Sequence, residues 1–208
     1  MTQLNCLLVS ALAMFVQADS SAQQPGASQT LYEMAKDYHG KGHLIVSSPS
    51  SSTETFSSVK KLATRSHEIV VGTPARTSTR LSADGRRLET IVWLKVHSAP
   101  LNRRHIAPGE IVKVRFEGGV YRYRDGTIVE VALPNMKVPW NPKRKYVMFL
   151  NFSHFSQGAW ELVGGAESCF EFNAQKRTVT PVDLRAGSTF RRMYSEMPFR
   201  SFLAAVKQ

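Results

Sequence analysis

From Glu68 onward the apolar side chains fall on every second residue, and that alternation restricts the fold more than any other feature of the chain. A period of two places successive side chains on opposite faces of an extended strand, whereas a helix repeats near 3.6 residues. EIVVGT (68–73) reads as a compact apolar strand. TSTRLSADGRRLETIVWLKV then carries two alternating arms around Ala83, Asp84 and Gly85, and an Asp-Gly step between such arms is a strong hairpin signal. In the second arm Ile91, Trp93 and Lys95 share one face, with Val92, Leu94 and Val96 on the other. IVKVRF (111–116) follows Pro108-Gly109, Gly118-Gly119 breaks the chain, and VYRYRDGTIVEVAL supplies a second hairpin turning at Asp125-Gly126. KYVMFLNF (145–152), AWELVG (159–164), CFEF (169–172) and TVTPVD (178–183) complete a set of about nine short strands. Strands in that number stack as a sandwich or close as a barrel, because open edges pair with other chains.

Helices are expected at both ends of this β region. Thr53 has the chemistry of an N-cap for a helix through about Arg65, with Phe56, Val59, Lys60 and Leu62 at helical spacing. Phe199, Phe202, Leu203 and Val206 fall at i, i+3, i+4 and i+7, an aromatic stripe for a C-terminal helix. Residues 23–53 are rich in Ser, Gln, Gly and Pro and read as a flexible linker segment. Within it Leu31, Tyr32, Met34, Ala35 and Tyr38 suit a short helix, and HLIV (43–46) a short strand. Before that, Leu4 to Val16 holds no charged residue, too short a run to span a bilayer but suited to the h-region of a secretory signal. Ser20-Ser21-Ala22 then offers a small-x-small cleavage site before Gln23, with Val16-Gln17-Ala18 before Asp19 as the rival. The expected organisation is a signal peptide over 1–22, a linker over 23–53 and one β-rich domain over 54–208 that ends in a helix. The expected location is the periplasm or the exterior, with no integral membrane segment left once the signal is removed.

Removing residues 1–22 takes away one acid, Asp19, and no base, so the formal charge rises by one from +11. Such a surplus favours solubility and attraction to anionic polymers of the cell envelope. Hydrophobic residues make up 42% of the chain, which suits a globular domain and excludes a disordered tail. Cys6 lies inside the signal segment and leaves Cys169 alone in the mature chain, so no intramolecular disulfide holds the fold. Alternation in CFEF puts Cys169 and Glu171 on one face and Phe170 and Phe172 on the other, the pattern of a half-buried strand cysteine.

The order SHEIVVGT, ETIVWLKVHSAP, PGEIVKVRFEGG, NPKRKYVMFLNFS and AWELVGGAESCFEF resembles a family of exported bacterial β-domains of unassigned function, over about residues 57–182. The shared motifs are glycines, apolar strands and turns. Ser168 stands where that family usually has glycine, and Asn141-Pro142-Lys143 where it has a Pro-Gly turn. More loosely, the succession of strands is similar to the netrin-like modules of secreted inhibitors, whose fold is an OB-type barrel. The chain lacks their cysteine framework, so the resemblance implies the fold and not the inhibitory mechanism. The fold class expected is therefore mostly β, an OB-like barrel or β-sandwich of about nine short strands with flanking N- and C-terminal helices.

Motifs of catalysis and metal binding are missing from the sequence. His39, His43, His67, His97, His105 and His154 form neither HxH nor HExxH, and Gly40 and Gly42 interrupt the one pair at helical spacing, His39 and His43. GxSxG does not occur, and Ser153-His154, adjacent on an extended chain, point to opposite faces. No catalytic residue, metal site or cofactor is expected. The basic residues carry the remaining signal: Arg86-Arg87, Arg103-Arg104 and Lys143-Arg144-Lys145 in turns, and Lys113, Arg115, Arg122 and Arg124 in strand registers. Lys113 with Arg115, and Arg122 with Arg124, each share a face, with Tyr121 and Tyr123 opposite the second pair. The reading is an exported non-enzymatic structural or interaction module of unknown partner. Its alternatives are a binding module for anionic polymers, with Lys113, Arg115, Arg122 and Arg124 on paired strands as the binding residues, and a hydrolase without a recognised motif.

Overall fold

A computed structural model describes residues 29–38, 43–47, 56–132, 140–152, 158–182 and 189–207. Residues 1–22, where a signal peptide is expected, and Thr53, His39 and Ser153-His154 lie outside the described residues. In chain order the elements are α1 (Leu31–Asp37), β1 (His43–Ser47), α2 (Val59–Arg65), β2 (Glu68–Leu81), β3 (Leu88–Asn102), β4 (Ile111–Glu117), β5 (Gly119–Arg122) and β6 (Ile128–Ala132). They continue as β7 (Lys145–Phe152), β8 (Trp160–Leu162), a single 3-10 turn, β9 (Cys169–Asn173), β10 (Thr178–Pro181), α3 (Thr189–Tyr194), β11 (Met197–Pro198) and α4 (Phe199–Lys207).

The long hairpin β2–β3 is the frame. EIVVGT and the arm after it form one 14-residue strand, because bulges between Ile69 and Arg76 absorb Pro74 without ending the pairing. The turn falls where Asp84-Gly85 stands. Asp84 accepts the Arg86 N–H at 3.1 Å and Gly85 takes φ +70°, a conformation that favours glycine. From this hairpin a ring of strands closes in the order β7–β2–β3–β4–β8 and back to β7. Within it β4 and β8 run parallel, Val114 opposite Trp160, and the other contacts are antiparallel. Numbered along the chain, the ring order 1-2-3-5-4 with its single parallel contact is that of an OB-like barrel. Val92, Leu94, Val114, Met148 and Leu150 fill the interior, each 0% exposed, and Cys169 joins them from β9. Burial pushes the Cys169 thiol well above its ordinary range, so it packs as a small hydrophobe.

Strand β7 is buried on both sides. Met148 and Leu150 face the barrel, while Val147 and Phe149 face a second core under α2, α3 and α4. Phe202 of α4 enters that second core, its ring 4.8 Å from Phe170 and 6.1 Å from Phe149. The aromatic stripe read at 199–206 is therefore the docking face of α4. Helix α2 starts later than the sequence suggests. Ser58, extended at ψ 157°, accepts the Lys61 N–H, while the Glu167 carboxylate accepts the Phe56 N–H at 2.9 Å. Phe56 is thereby held as an anchor ahead of the helix.

Beyond the barrel, β1, β6 and β5 form a separate three-stranded sheet, with β1 parallel to β6. Gly119, at φ +129°, sends the chain off β4 into this sheet, and a Cβ there meets Thr79 Oγ1 at 2.9 Å. The second hairpin turns at Asp125-Gly126 as read. Helix α1, held by a Thr30–Glu33 capping box, packs Leu31 and Ala35 on the inner face of the sheet with Leu44, Leu88, Val129 and Val131. Composition marked residues 23–53 as linker, yet α1 and β1 lie within it and complete this small core. The short helix and strand expected within that segment are present, and what composition does not carry is that β1 pairs with β6, some 85 residues away. Among the described residues no helix is long and apolar enough to cross a membrane.

Candidate binding face on the barrel

Alternation along β3 fixes what the barrel presents outward. Thr90, Val92, Leu94 and Val96 are buried, and Glu89, Ile91, Trp93, Lys95 and His97 face out. On β4 the outward set is Ile111, Lys113 and Arg115. On β2 the bulge after Pro74 decides the matter. Pro74 lies opposite Leu94 and Arg76 opposite Trp93, so the extra residue, Ala75, shifts Arg76 onto the outer face. The Arg76 guanidinium sits over the Trp93 ring, 4.9 Å from its centroid. A cation–π contact of this kind is worth about 0.5–1 kcal/mol at an exposed site and keeps the guanidinium over the ring. Lys113 is opposite Trp93 on the far side, giving the row Arg76–Trp93–Lys113. Trp140 and Trp160 are both 7% exposed, which leaves Trp93 as the half-exposed indole of the three in the chain.

Charge is unevenly free along this face. Arg115 is held by Glu89 and, at 3.1 Å, by Glu161, while Arg80 also bonds Glu89, its Nε 2.6 Å from the carboxylate. That end of the face is neutralised. Among the described residues no carboxylate pairs with Arg76, Lys95 or Lys113, all of them exposed, so the end around Trp93 carries the net positive charge. Farther along, His97 Nε2 hydrogen-bonds Thr73 Oγ1 at 2.8 Å. Partial withdrawal from water and, after it, the charges of Lys145 and Lys95 hold His97 below its ordinary value.

The four residues read from the sequence are placed as follows. Lys113 belongs to this face. Arg115 shares it but is occupied by two acids. Arg122 and Arg124 are exposed on the far side of the small sheet, and Tyr121 and Tyr123 turn inward to its core, as alternation requires. The four do not lie on paired strands. β4 pairs with β3 and β8, and β5 with β6, because the Gly118-Gly119 break moves the chain to another sheet. The sequence reading missed Arg76, whose outward aim depends on a bulge. It also left Trp93 and Lys95, already on one face by alternation, out of the site.

Glu68 is 0% exposed, and one carboxylate oxygen accepts the Arg104 N–H at 2.6 Å while the other has no partner among the described residues. Burial raises it above the ordinary glutamate value, against the lowering effect of the Arg104 and Arg103 N–H groups. Asp125 accepts from Lys36 at 2.7 Å and from the Tyr32 hydroxyl at 3.0 Å, tying α1 to the small sheet and lying well below the usual carboxylate range. Among the described residues no three His, Cys, Asp or Glu side chains converge as metal ligands. The barrel with its aromatic-centred basic face thus defines an OB-like β-domain. No known family, no curated protein and no solved structure matches the chain.

Proposed function

We propose that the mature chain is an exported, non-enzymatic binding module that holds an anionic polymer on the outer face of β2, β3 and β4. The observation that carries this reading is the row Arg76–Trp93–Lys113, with Lys95 beside it, at the end of the face where, among the described residues, no acid pairs with the cations. Two general facts support it. OB-type barrels use the face of their second and third strands, here β3 and β4, for oligonucleotides and oligosaccharides. Cations that displace counterions from a polyanion gain affinity as salt falls. Export rests on the apolar run before Val16.

The test is a titration with a size-defined heparin fragment, followed by Trp93 fluorescence. Three released counterions predict binding on the order of tenfold weaker at 150 mM than at 50 mM salt. Replacing Arg76, Lys95 and Lys113 with glutamine is expected to weaken binding about tenfold or more, and the same change at Arg86, Arg87 and Lys143 about threefold or less. Equal losses in the two variants would reduce the face to an undirected basic surface and sink the proposal.

A further inference from the structure

Next to the Trp93 row the face continues onto a group of a different kind. Lys95 and His97 are both exposed and on the same side of β3, with buried Val96 between them. Thr73 lies opposite Lys95 and holds the His97 ring at 2.8 Å. On the neighbouring strand Gly72 lies opposite Tyr146, so Lys145, one residue earlier at the start of β7, comes alongside Thr73, and its charge acts on the same imidazole. The charged groups that act on His97 are thus Lys95 from its own strand and Lys145 from β7. An imidazole among ammonium groups, with no carboxylate paired to either lysine among the described residues, is short of an anion.

We propose that Lys95, Lys145 and His97, braced by Thr73, form an anion subsite that takes a sulfate or carboxylate group of an acidic polysaccharide together with one proton. The inference rests on the binding face proposed above and adds to it a residue whose charge the ligand itself controls. In the free protein partial withdrawal from water and, after it, the charges of Lys145 and Lys95 hold His97 below its ordinary value and so favour the neutral ring. A bound anion cancels their repulsion, the imidazole gains its proton, and the protonated ring becomes a further cation against the ligand. Linkage requires the converse, so affinity rises as pH falls through the range where the bound form is protonated and the free form is not. A polysaccharide suits this face better than a nucleic acid, because Arg76 already covers the Trp93 ring that an unstacked base needs.

The experiment uses the full mature chain and a heparin octasaccharide at fixed low salt. Between about pH 7.5 and about pH 5.5 the native protein is expected to bind roughly five- to tenfold tighter, as one added charge contact allows. His97→Gln, which removes the titration at an exposed position, is expected to hold that gain to about twofold or less, whereas His105→Gln behaves as native. In parallel, the His97 ring titration followed by NMR should move upward when the octasaccharide is added. A His97→Gln variant with the full pH gain, or a His97 midpoint that the ligand leaves in place, overturns the subsite. A thymidine octanucleotide bound more tightly than the octasaccharide overturns the assignment to polysaccharide. If native protein binds the octasaccharide at neither pH, the binding face itself is refuted and the subsite falls with it, a result distinct from binding without proton linkage.

Discussion

Phe202 joins the C-terminal helix to the barrel, and its removal puts a number on that joint. The side chain is 0% exposed, with rings of Phe170, Phe149 and Tyr194 at 4.8, 6.1 and 6.2 Å. Truncating a buried phenylalanine to alanine costs about 3–5 kcal/mol, the lost transfer energy plus the cavity left behind. The aromatic neighbours place Phe202→Ala in the upper half of that range, since each edge-to-face pair adds about 0.5–1.5 kcal/mol beyond area alone. A domain has about 5–15 kcal/mol in total, so the variant stands near the limit of folding at 37 °C. The effect reaches the ring of strands through Phe149, whose neighbours Met148 and Leu150 on β7 line the barrel interior. Phe199, half-buried with its ring 4.8 Å from Phe172, gives a smaller loss of about 1–2 kcal/mol on truncation. Urea unfolding followed by the fluorescence of the buried Trp140 and Trp160 measures both variants, with an unchanged slope expected if each acts on the native state alone. A loss at Phe202 below about 1.5 kcal/mol, or one smaller than at Phe199, would mean that α4 is an appendage and not part of the core.

Two further outcomes follow from buried groups. Burial holds the Glu68 proton to higher pH in the folded chain than in the unfolded one, so the stability this confers is present below the ordinary value of 4.5 and is lost as pH rises through the folded value. Glu68→Gln, which keeps an oxygen for the Arg104 N–H, should flatten the fall of stability above about pH 4.5, as measured by urea unfolding across pH, and parallel curves for the two proteins would refute this. Cys169, sealed in the barrel core, should tolerate alanine at a cost of about 1–2 kcal/mol with polymer binding intact, while serine costs more because its hydroxyl enters an apolar site. Loss of heparin binding by a folded Cys169→Ala variant would point to a thiol function.

What the sequence determined by itself is the part of the fold written in neighbouring residues. The alternation from Ile91 to Val96 assigned each side chain of β3 to its face, Asp84-Gly85 and Asp125-Gly126 placed both hairpin turns, and the stripe Phe199–Phe202–Leu203–Val206 aimed α4. These features depend on backbone period and turn chemistry, which act over a few residues. Tertiary structure alone decided which distant segments meet. β1 runs beside β6, β8 closes the ring against β4 with Glu161 on Arg115, and a bulge at Ala75 brings Arg76 over Trp93. No local pattern encodes these pairings, because register between distant strands is set by which apolar faces are buried together. The charges show the consequence. Lys113 and Arg115 look alike in sequence, yet one faces water and the other is held by two carboxylates from separate strands.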